Sequence, residues 1–233
     1  MLTVLMPAYN EGEIIEAAVR EWHAEVTSRI EGAQLIVVND CSRDNTGAVV
    51  ERLSRELPGV RLLTTPVNGG HGRALRYGFG FLETEFVLQT DSDRQHLPSD
   101  FWKLWPLAES HDFVFGVRES RADGAVRKLI TAVMRGANLA VWGLWIRDAN
   151  CPFKLMRTRA LRKVLERIAE DSFIPMVMVS IAARKMGFRF TEVEVRHLAR
   201  RGGQQSLRGM WKWTKVGWRC LRQLVEMRLR WRA

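Results

Sequence analysis

Val87-Leu88-Gln89-Thr90-Asp91-Ser92-Asp93-Arg94-Gln95-His96 changes character halfway along. Residues 86–88 are an apolar run, read as a buried strand, and it gives way to two aspartates one residue apart. Carboxylates at the end of a central strand are costly unless something positive meets them. Asp-x-Asp at such an edge can turn two oxygens toward one divalent cation and leave positions open for substrate phosphates. The plainer alternative has Asp91 and Asp93 capping a turn while Pro98-Ser99-Asp100 opens the next helix, and the stretch alone does not choose.

The surrounding chain does. Residues 2–6 (stopped by Pro7), 34–38, 60–63 and 112–116 read as further strands, apolar throughout. Helical periodicity runs through 13–30 (Ile14, Ala17, Ala18, Trp22, Val26), through Val49, Val50 and Leu53, and through Ala74, Leu75 and Phe79; a short helix is expected over 101–107. Such alternation implies a parallel sheet covered on both faces, whose ligands bind beyond the carboxyl ends of the strands. Those ends carry Tyr9-Asn10-Glu11, Asn39-Asp40, Asn68-Gly69-Gly70, Asp91-Ser92-Asp93 and Gly116-Val117-Arg118. The convergence favours a nucleotide-type site over a set of ordinary turns.

Gly70-His71-Gly72 with Gly78 is neither a dinucleotide fingerprint nor a phosphate loop. Its glycines either pack a helix start on the sheet or let backbone approach a ligand, and both readings stay open. His71 is read as a local hydrogen-bonding residue, and His96 and His197 as still weaker catalytic candidates. Further on, 126–145 reads as a long apolar-rich helix, 153–156 as a short strand, 173–186 as a helix interrupted early by Pro175, and 188–195 as a half-exposed strand.

A composition 46% hydrophobic and 27% charged fits a sizeable core and excludes disorder. Cys41, Cys151 and Cys220 are odd in number and far apart, which favours reduced thiols over a disulfide frame or zinc site. Met1-Leu2-Thr3-Val4 has no basic n-region, so no signal peptide is expected, and the uncharged apolar run 136–146 is too short to span a bilayer. The net charge is +10, and residues 200–233 hold ten Arg or Lys against one acid, Glu226. Over 207–231 Arg208, Lys212, Lys215, Arg219, Arg222, Glu226 and Arg230 recur every three or four positions beside Leu207, Trp211, Trp218, Leu221, Leu224 and Val225. This is the pattern of a helix lying in a membrane surface, favoured over one packed on its own domain or a partner subunit. Nucleic acid is disfavoured, because no reader motif accompanies the tail.

Pro7-Ala8-Tyr9-Asn10-Glu11, Val38-Asn39-Asp40-Cys41-Ser42-Arg43-Asp44-Asn45-Thr46, Asn68-Gly69-Gly70-His71-Gly72 and Asp91-Ser92-Asp93 resemble, in order and spacing, the signatures of glycosyltransferase family 2. Gly116-Val117-Arg118, residues 148–157 and residues 192–197 resemble its polyprenyl-phosphate branch, the dolichol-phosphate mannose synthase type. The resemblance implies an α/β fold of GT-A type over residues 1–206, with a Rossmann-like, mostly parallel sheet flanked by helices. A basic amphipathic helical tail follows at 207–233. It also implies inverting transfer from a nucleotide-diphospho-sugar with Mg²⁺ or Mn²⁺. Pro7, Ala8, Tyr9, Glu11, Asp40, Gly70, Asp91 and Ser92 would meet the nucleotide sugar, and Asp91, Asp93 and Gln95 the metal. Catalytic roles fall to Asp93 and to Asp148, which matches the family's acidic position on the acceptor side. Pro152-Phe153 stands where Gly-Phe is usual, and Leu207 where Lys is expected.

A hydroxyl acceptor needs a base, for which Asp148 is the candidate, unless it pairs with Arg147 or Lys154. A phosphate acceptor is already anionic, and Arg118, Arg127, Arg200 and Arg201 are candidates to clamp it. The expected function is transfer to a polyprenyl phosphate-type carrier by a cytoplasmic enzyme peripheral to the inner membrane face. The alternatives are a soluble transferase acting on a saccharide or small-molecule hydroxyl, and a non-catalytic sugar-nucleotide-binding membrane adaptor.

Overall fold

The computed structural model describes residues 1–119, 125–198 and 210–232, without the side chains of 125–131, 134, 210–216 and 232. Seven strands form one sheet: β1 (Leu2–Ala8), β2 (Gln34–Asn39), β3 (Val60–Thr64), β4 (Phe86–Gln89), β5 (Phe113–Arg118), β6 (Lys154–Arg157) and β7 (Phe190–Val195). Their order is β3-β2-β1-β4-β6-β5-β7. Every pairing is parallel except those of β6, which runs against both β4 and β5. The sheet is therefore mostly parallel, and residues 153–156, read as a short strand, lie at its reversed member.

Strand side chains alternate between two cores, as period-two geometry requires. Val4, Met6, Leu35, Val37, Leu88 and Leu155 face α1 (Ile15–Glu25), α2 (Thr46–Glu56) and α4 (Phe101–Leu104). Leu5, Ile36, Val38, Val87, Phe113, Phe115 and Met156 face the other layer. That layer contains α3 (His71–Phe79), α5 (Ala125–Trp142), α6 (Thr158–Leu165), α7 (Pro175–Lys185) and α8 (Met210–Arg232).

Two prolines act differently from their sequence reading. Pro7 lies inside β1 instead of stopping it. The Leu5 carbonyl accepts from Thr90 N–H, so by alternation the next β1 donor toward β4 would be Pro7, which has none. Its partner side is vacant because β4 pairing ends at Leu5↔Gln89. Pro175 opens α7 at its first position, where a missing N–H costs nothing, and does not interrupt a helix. The helix expected over 126–145 stops at Trp142 because Gly143 turns left-handed (φ 65°).

The described part of α8 has two apolar faces. Cys220, Leu224 and Met227 are buried against the domain, Trp231 meets Trp142 edge-on, and the Gln223 Oε1 accepts from Phe173 N–H at 2.9 Å. Trp218, Val225 and Leu229, spaced seven and four apart and so on one side, are 72%, 40% and 64% exposed. Among the described residues no helix is long and apolar enough to cross a membrane.

β5 lies tight against the residue leading into β6. Gly116 N–H donates to the Phe153 carbonyl at 2.7 Å, and a Cβ at Gly116 would stand 2.8 Å from that oxygen and 3.0 Å from Val195 Cγ2. Gly116→Ala is expected to cost about 1–3 kcal/mol, measured by urea unfolding; an unchanged midpoint would contradict this packing.

Candidate active site

The carboxyl ends of the parallel strands share one edge, and β6, being antiparallel, begins there. Strand order runs outward from β1 to β3 and then returns across β1 to β4, so the gap between β1 and β4 is a topological switch point. Tyr9-Asn10-Glu11 and Asp91-Ser92-Asp93 flank it, following buried Pro7 and Ala8 on one side and buried Gln89 on the other. Asn10, Cys41 and Arg94 adopt left-handed backbone (φ 53°, 54° and 57°) in three turns of this edge. Non-glycine residues hold such angles where surrounding bonds over-determine them.

Those bonds are present. Asn10 N–H donates to Ser42 Oγ (3.0 Å), Arg43 N–H to Asn10 Oδ1 (2.9 Å), Glu11 N–H to Thr46 Oγ1 (2.9 Å) and Gly12 N–H to Asp44 Oδ2 (2.9 Å). Burial alone would raise the Asp44 pKa, but the Thr46 hydroxyl and the Thr46 and Gly12 amides hold it below the usual range. Arg94 is anchored by Glu21 of α1.

Asp40 is buried, and its carboxylate works on the glycine turn: it accepts from Gly69 N–H (2.9 Å), Gly70 N–H (2.7 Å) and Thr65 Oγ1 (3.1 Å). The two readings of the glycines separate here. Gly72 packs, since a Cβ there would lie 2.5 Å from the Ser172 carbonyl oxygen. Gly70 takes φ 78° at the start of α3, with open space where a Cβ would stand.

Asp91 is partly exposed, with Gln89 Nε2 at 3.4 Å and His71 Nε2 at 4.0 Å from its Oδ1. Asp93 Oδ1 accepts the Gln95 N–H at 3.2 Å, and Ser92 is buried between the two aspartates. Among the described residues no three His, Cys, Asp or Glu side chains gather around one point. Two hard carboxylates one residue apart suit Mg²⁺ or Mn²⁺ shared with phosphate oxygens better than zinc. Gln95 points elsewhere: its Nε2 donates to the Leu198 carbonyl at 2.9 Å, and its own carbonyl accepts Leu198 N–H at 2.8 Å.

On the other side of the crevice two of the expected site residues meet each other. Arg118 and Asp148 bind each other, Nε to Oδ2 at 2.7 Å and Nη2 to Oδ1 at 2.8 Å, with both side chains nearly buried. Neither is an open phosphate clamp or an open base in this state. Arg147, one of the two alternative partners read for Asp148, pairs with Glu194 at 2.6 Å. Lys154 is fully buried over the Phe115 ring, 4.3 Å from its centroid, and its Nζ has no hydrogen-bond partner among the described residues. Arg200, Arg201 and the Arg127 side chain lie outside the described residues.

Sequence reasoning missed the clasp that closes this end. Asp100, fully buried, accepts from Arg196 N–H (2.7 Å), Nε (3.0 Å) and Nη2 (2.7 Å), laying residues 196–198 over residues 95–100. Burial raises the Asp100 pKa less than Arg196 and Lys103 lower it, so the net shift is downward. Beneath the clasp the His96 ring packs edge-on to His197 and tilted against Phe153, with ring centroids 5.3 and 5.4 Å away. Asp100 looked like a helix opener, and nothing in the sequence pairs it with Arg196.

The sequence model of Glycosyl transferase family 2 matches residues 3–165. The undecaprenyl-phosphate 4-deoxy-4-formamido-L-arabinose transferase of Edwardsiella ictaluri is 24% identical over 87% of this chain and 62% of its own length. The Trichomonas vaginalis dolichyl-phosphate beta-glucosyltransferase ALG5A is 27% identical over 91% of this chain and 70% of its own. The chain thus spans about three fifths of the length of the undecaprenyl-phosphate transferases it matches. Among solved structures, glucosyl-3-phosphoglycerate synthase of Mycobacterium tuberculosis, in complex with Mn²⁺, UDP and phosphoglyceric acid, superposes with a TM-score of 0.73. It is 18% identical over 98% of this chain and 78% of its own. At that identity the likeness shows the GT-A fold.

Burial, with help from His197 and Arg118, depresses the His96 pKa to about 3. In the unfolded chain it titrates near 6.5, so between those values the unfolded state binds the extra proton and stability falls as pH falls. His96→Phe keeps the ring stack and should remove about 1.4 kcal/mol per pH unit of that loss below pH 6. Urea melts of both proteins from pH 7 to 5 check it; parallel stability curves would contradict the assignment.

Proposed function

Because the chain belongs to glycosyl transferase family 2, we propose that it is an inverting, metal-dependent glycosyltransferase. It moves a sugar from a nucleotide-diphospho-sugar to a polyprenyl phosphate at a membrane surface. The observation that carries the choice of acceptor is the closed Arg118–Asp148 pair. The side chain best placed by sequence to activate a hydroxyl already has both oxygens on a guanidinium, whereas a phosphate monoester is anionic and needs no base. The relatives named for undecaprenyl and dolichyl phosphate support it, since they match through the acceptor half of the chain.

On the donor side, the turns at Asn10, Cys41 and Gly70 are braced before any ligand arrives, which suits a preorganised nucleotide seat. Asp91 and Asp93 would hold the Mg²⁺ or Mn²⁺, which when bound neutralises charge on the departing diphosphate. The acceptor enters from the opposite face of the sugar; of the four arginines expected to hold it, Arg118 is the one whose side chain is described. Trp218, Val225 and Leu229, beside the exposed Arg222, give α8 an outward face suited to an anionic leaflet.

The deciding experiment incubates a panel of labelled nucleotide sugars with polyprenyl phosphate and Mn²⁺ or Mg²⁺ and extracts the product into organic solvent. Label in the organic phase for one donor is expected, and transfer only to water-soluble hydroxyl acceptors would reject the reading. Asp93→Ala is expected to lower turnover by about a hundredfold or more while the protein stays folded; retained transfer would remove Asp93 from the metal site. Trp218→Ser combined with Leu229→Ser leaves the buried face of α8 intact and should release the protein from anionic liposomes. Unchanged co-sedimentation would reject the membrane face.

A further inference from the structure

A cavity of about 80 Å³ lies between α8 and the connection from α6 to α7, lined by none of the residues assigned above to donor, metal or acceptor. Arg167 and Asp171 reach it from the connection, and Arg222, Gln223, Glu226 and Arg230 from the helix. One water needs roughly 10–15 Å³ of such space, so there is room for roughly five to eight non-hydrogen atoms. That is one phosphate group with its ester carbons, and too little for a nucleotide.

The side chains around the cavity suit such a group. Arg222, Glu226 and Arg230 follow one another at four-residue steps and so form one row on α8. Arg167 comes from a different element and lies over the Trp231 ring, 5.9 Å from its centroid. Glu226 meets Arg222 at 3.3 Å, but both side chains are exposed, and an exposed pair of this kind is weak. Arg222 can therefore turn to a stronger anion. Three guanidinium groups against the carboxylates of Asp171 and Glu226 leave one net positive charge, the complement of a phosphate diester. The wall behind them is braced, because the Gln223 Oε1 accepts Phe173 N–H at 2.9 Å.

Position on the helix decides where that phosphate comes from. At about 100° per residue, Arg222 lies about 40° round α8 from Trp218, and Arg230 about 120°. The row therefore winds from the edge of the outward apolar face, formed by Trp218, Val225 and Leu229, toward the domain. A helix lying in a membrane surface sinks its apolar face roughly 5–10 Å into the boundary between headgroups and acyl chains. Arginines on the flank of that face then stand at the depth of the lipid phosphates.

Resting on the membrane-face reading above, we propose that this cavity is a headgroup site for one anionic phospholipid. Arg167, Arg222 and Arg230 hold its phosphate by charge-assisted hydrogen bonds. A choline headgroup is disfavoured, because its own cation would enter a site that is already net positive.

Phosphatidylcholine vesicles doped either with phosphatidylglycerol or with oleate, matched in zeta potential, test this by co-sedimentation of the full chain. The protein is expected to bind the phosphatidylglycerol vesicles about tenfold or more tighter. Arg167→Gln and Arg230→Gln should each remove that preference. Lys163→Gln deletes an equal charge from the exposed side of α6, outside the cavity, and should keep it. Equal binding to the two vesicle types by the unsubstituted protein would overturn the headgroup site and leave the membrane face standing. A preference lost in Lys163→Gln as well, or lost in none of the three variants, would also overturn the site. Binding to neither vesicle would reject the membrane face, and the site with it. Calorimetric titration of glycerol 3-phosphate addresses the soluble source: weaker binding than to vesicle lipid is expected, and equal affinity would overturn the lipid assignment.

Discussion

A buried carboxylate has to be met by a donor or a cation, and that requirement orders the whole carboxyl edge of this sheet. Asp40 gives its oxygens to the Gly69 and Gly70 amides, Asp100 to Arg196 and Asp148 to Arg118, and the exposed Asp44 likewise holds Gly12 and Thr46. Each of these bonds ties one strand end to another, so the turns are fixed relative to one another. Asp91 differs in kind. It is partly exposed, and its near donors among the described residues are the Gln89 amide at 3.4 Å and His71 at 4.0 Å. A carboxylate held that loosely beside ones held so firmly is suited to an external partner.

Two local features decide where the edge opens. Pro7 ends the donor side of the β1–β4 ladder, and strand order reverses at the same gap, so the crevice forms where pairing fails. The reversed β6 then brings a second set of charges to that edge. Had residues 154–157 run parallel to their neighbours, Lys154 would lie at the far end of the sheet from Asp91. Antiparallel insertion sets Lys154 opposite Gln89, two residues before Asp91, with Asp148 on the approach.

Much of this was legible in the sequence, and the failures have physical causes. The five parallel strands and the polar residues at their ends followed from apolar runs and turn chemistry, which are local signals. Pro7 misled because a proline's tolerance in a strand depends on which side its missing N–H faces, and that is set by where β4 stops. The direction of β6 was invisible because a four-residue strand carries no mark of its orientation. α6 has helical spacing at Ala160, Leu161, Val164 and Leu165, but at eight residues directly after a strand it is too short for periodicity to mark it. The charge pairs were the least legible: Arg118–Asp148 spans thirty residues and Asp100–Arg196 ninety-six, and either arginine had several closer acids in sequence.

The tail shows the same limit from another direction. Its periodicity correctly indicated an apolar, tryptophan-bearing helix, but periodicity cannot say how many faces are apolar for different reasons. Leu224, counted with Trp218 and Val225 as one stripe, belongs to the buried side, while those two face outward. The buried side joins the domain through specific contacts: Gln223 holds Phe173 N–H, and Arg219 lies over the Phe173 ring. The neighbouring Ser172 carbonyl abuts Gly72, next to the His71 that faces Asp91. Packed elements transmit displacement because their interiors are dense. The buried side of α8 therefore reaches toward the β4 turn by way of Phe173, Ser172, Gly72 and His71, so the helix packs behind the site whatever its outward face touches.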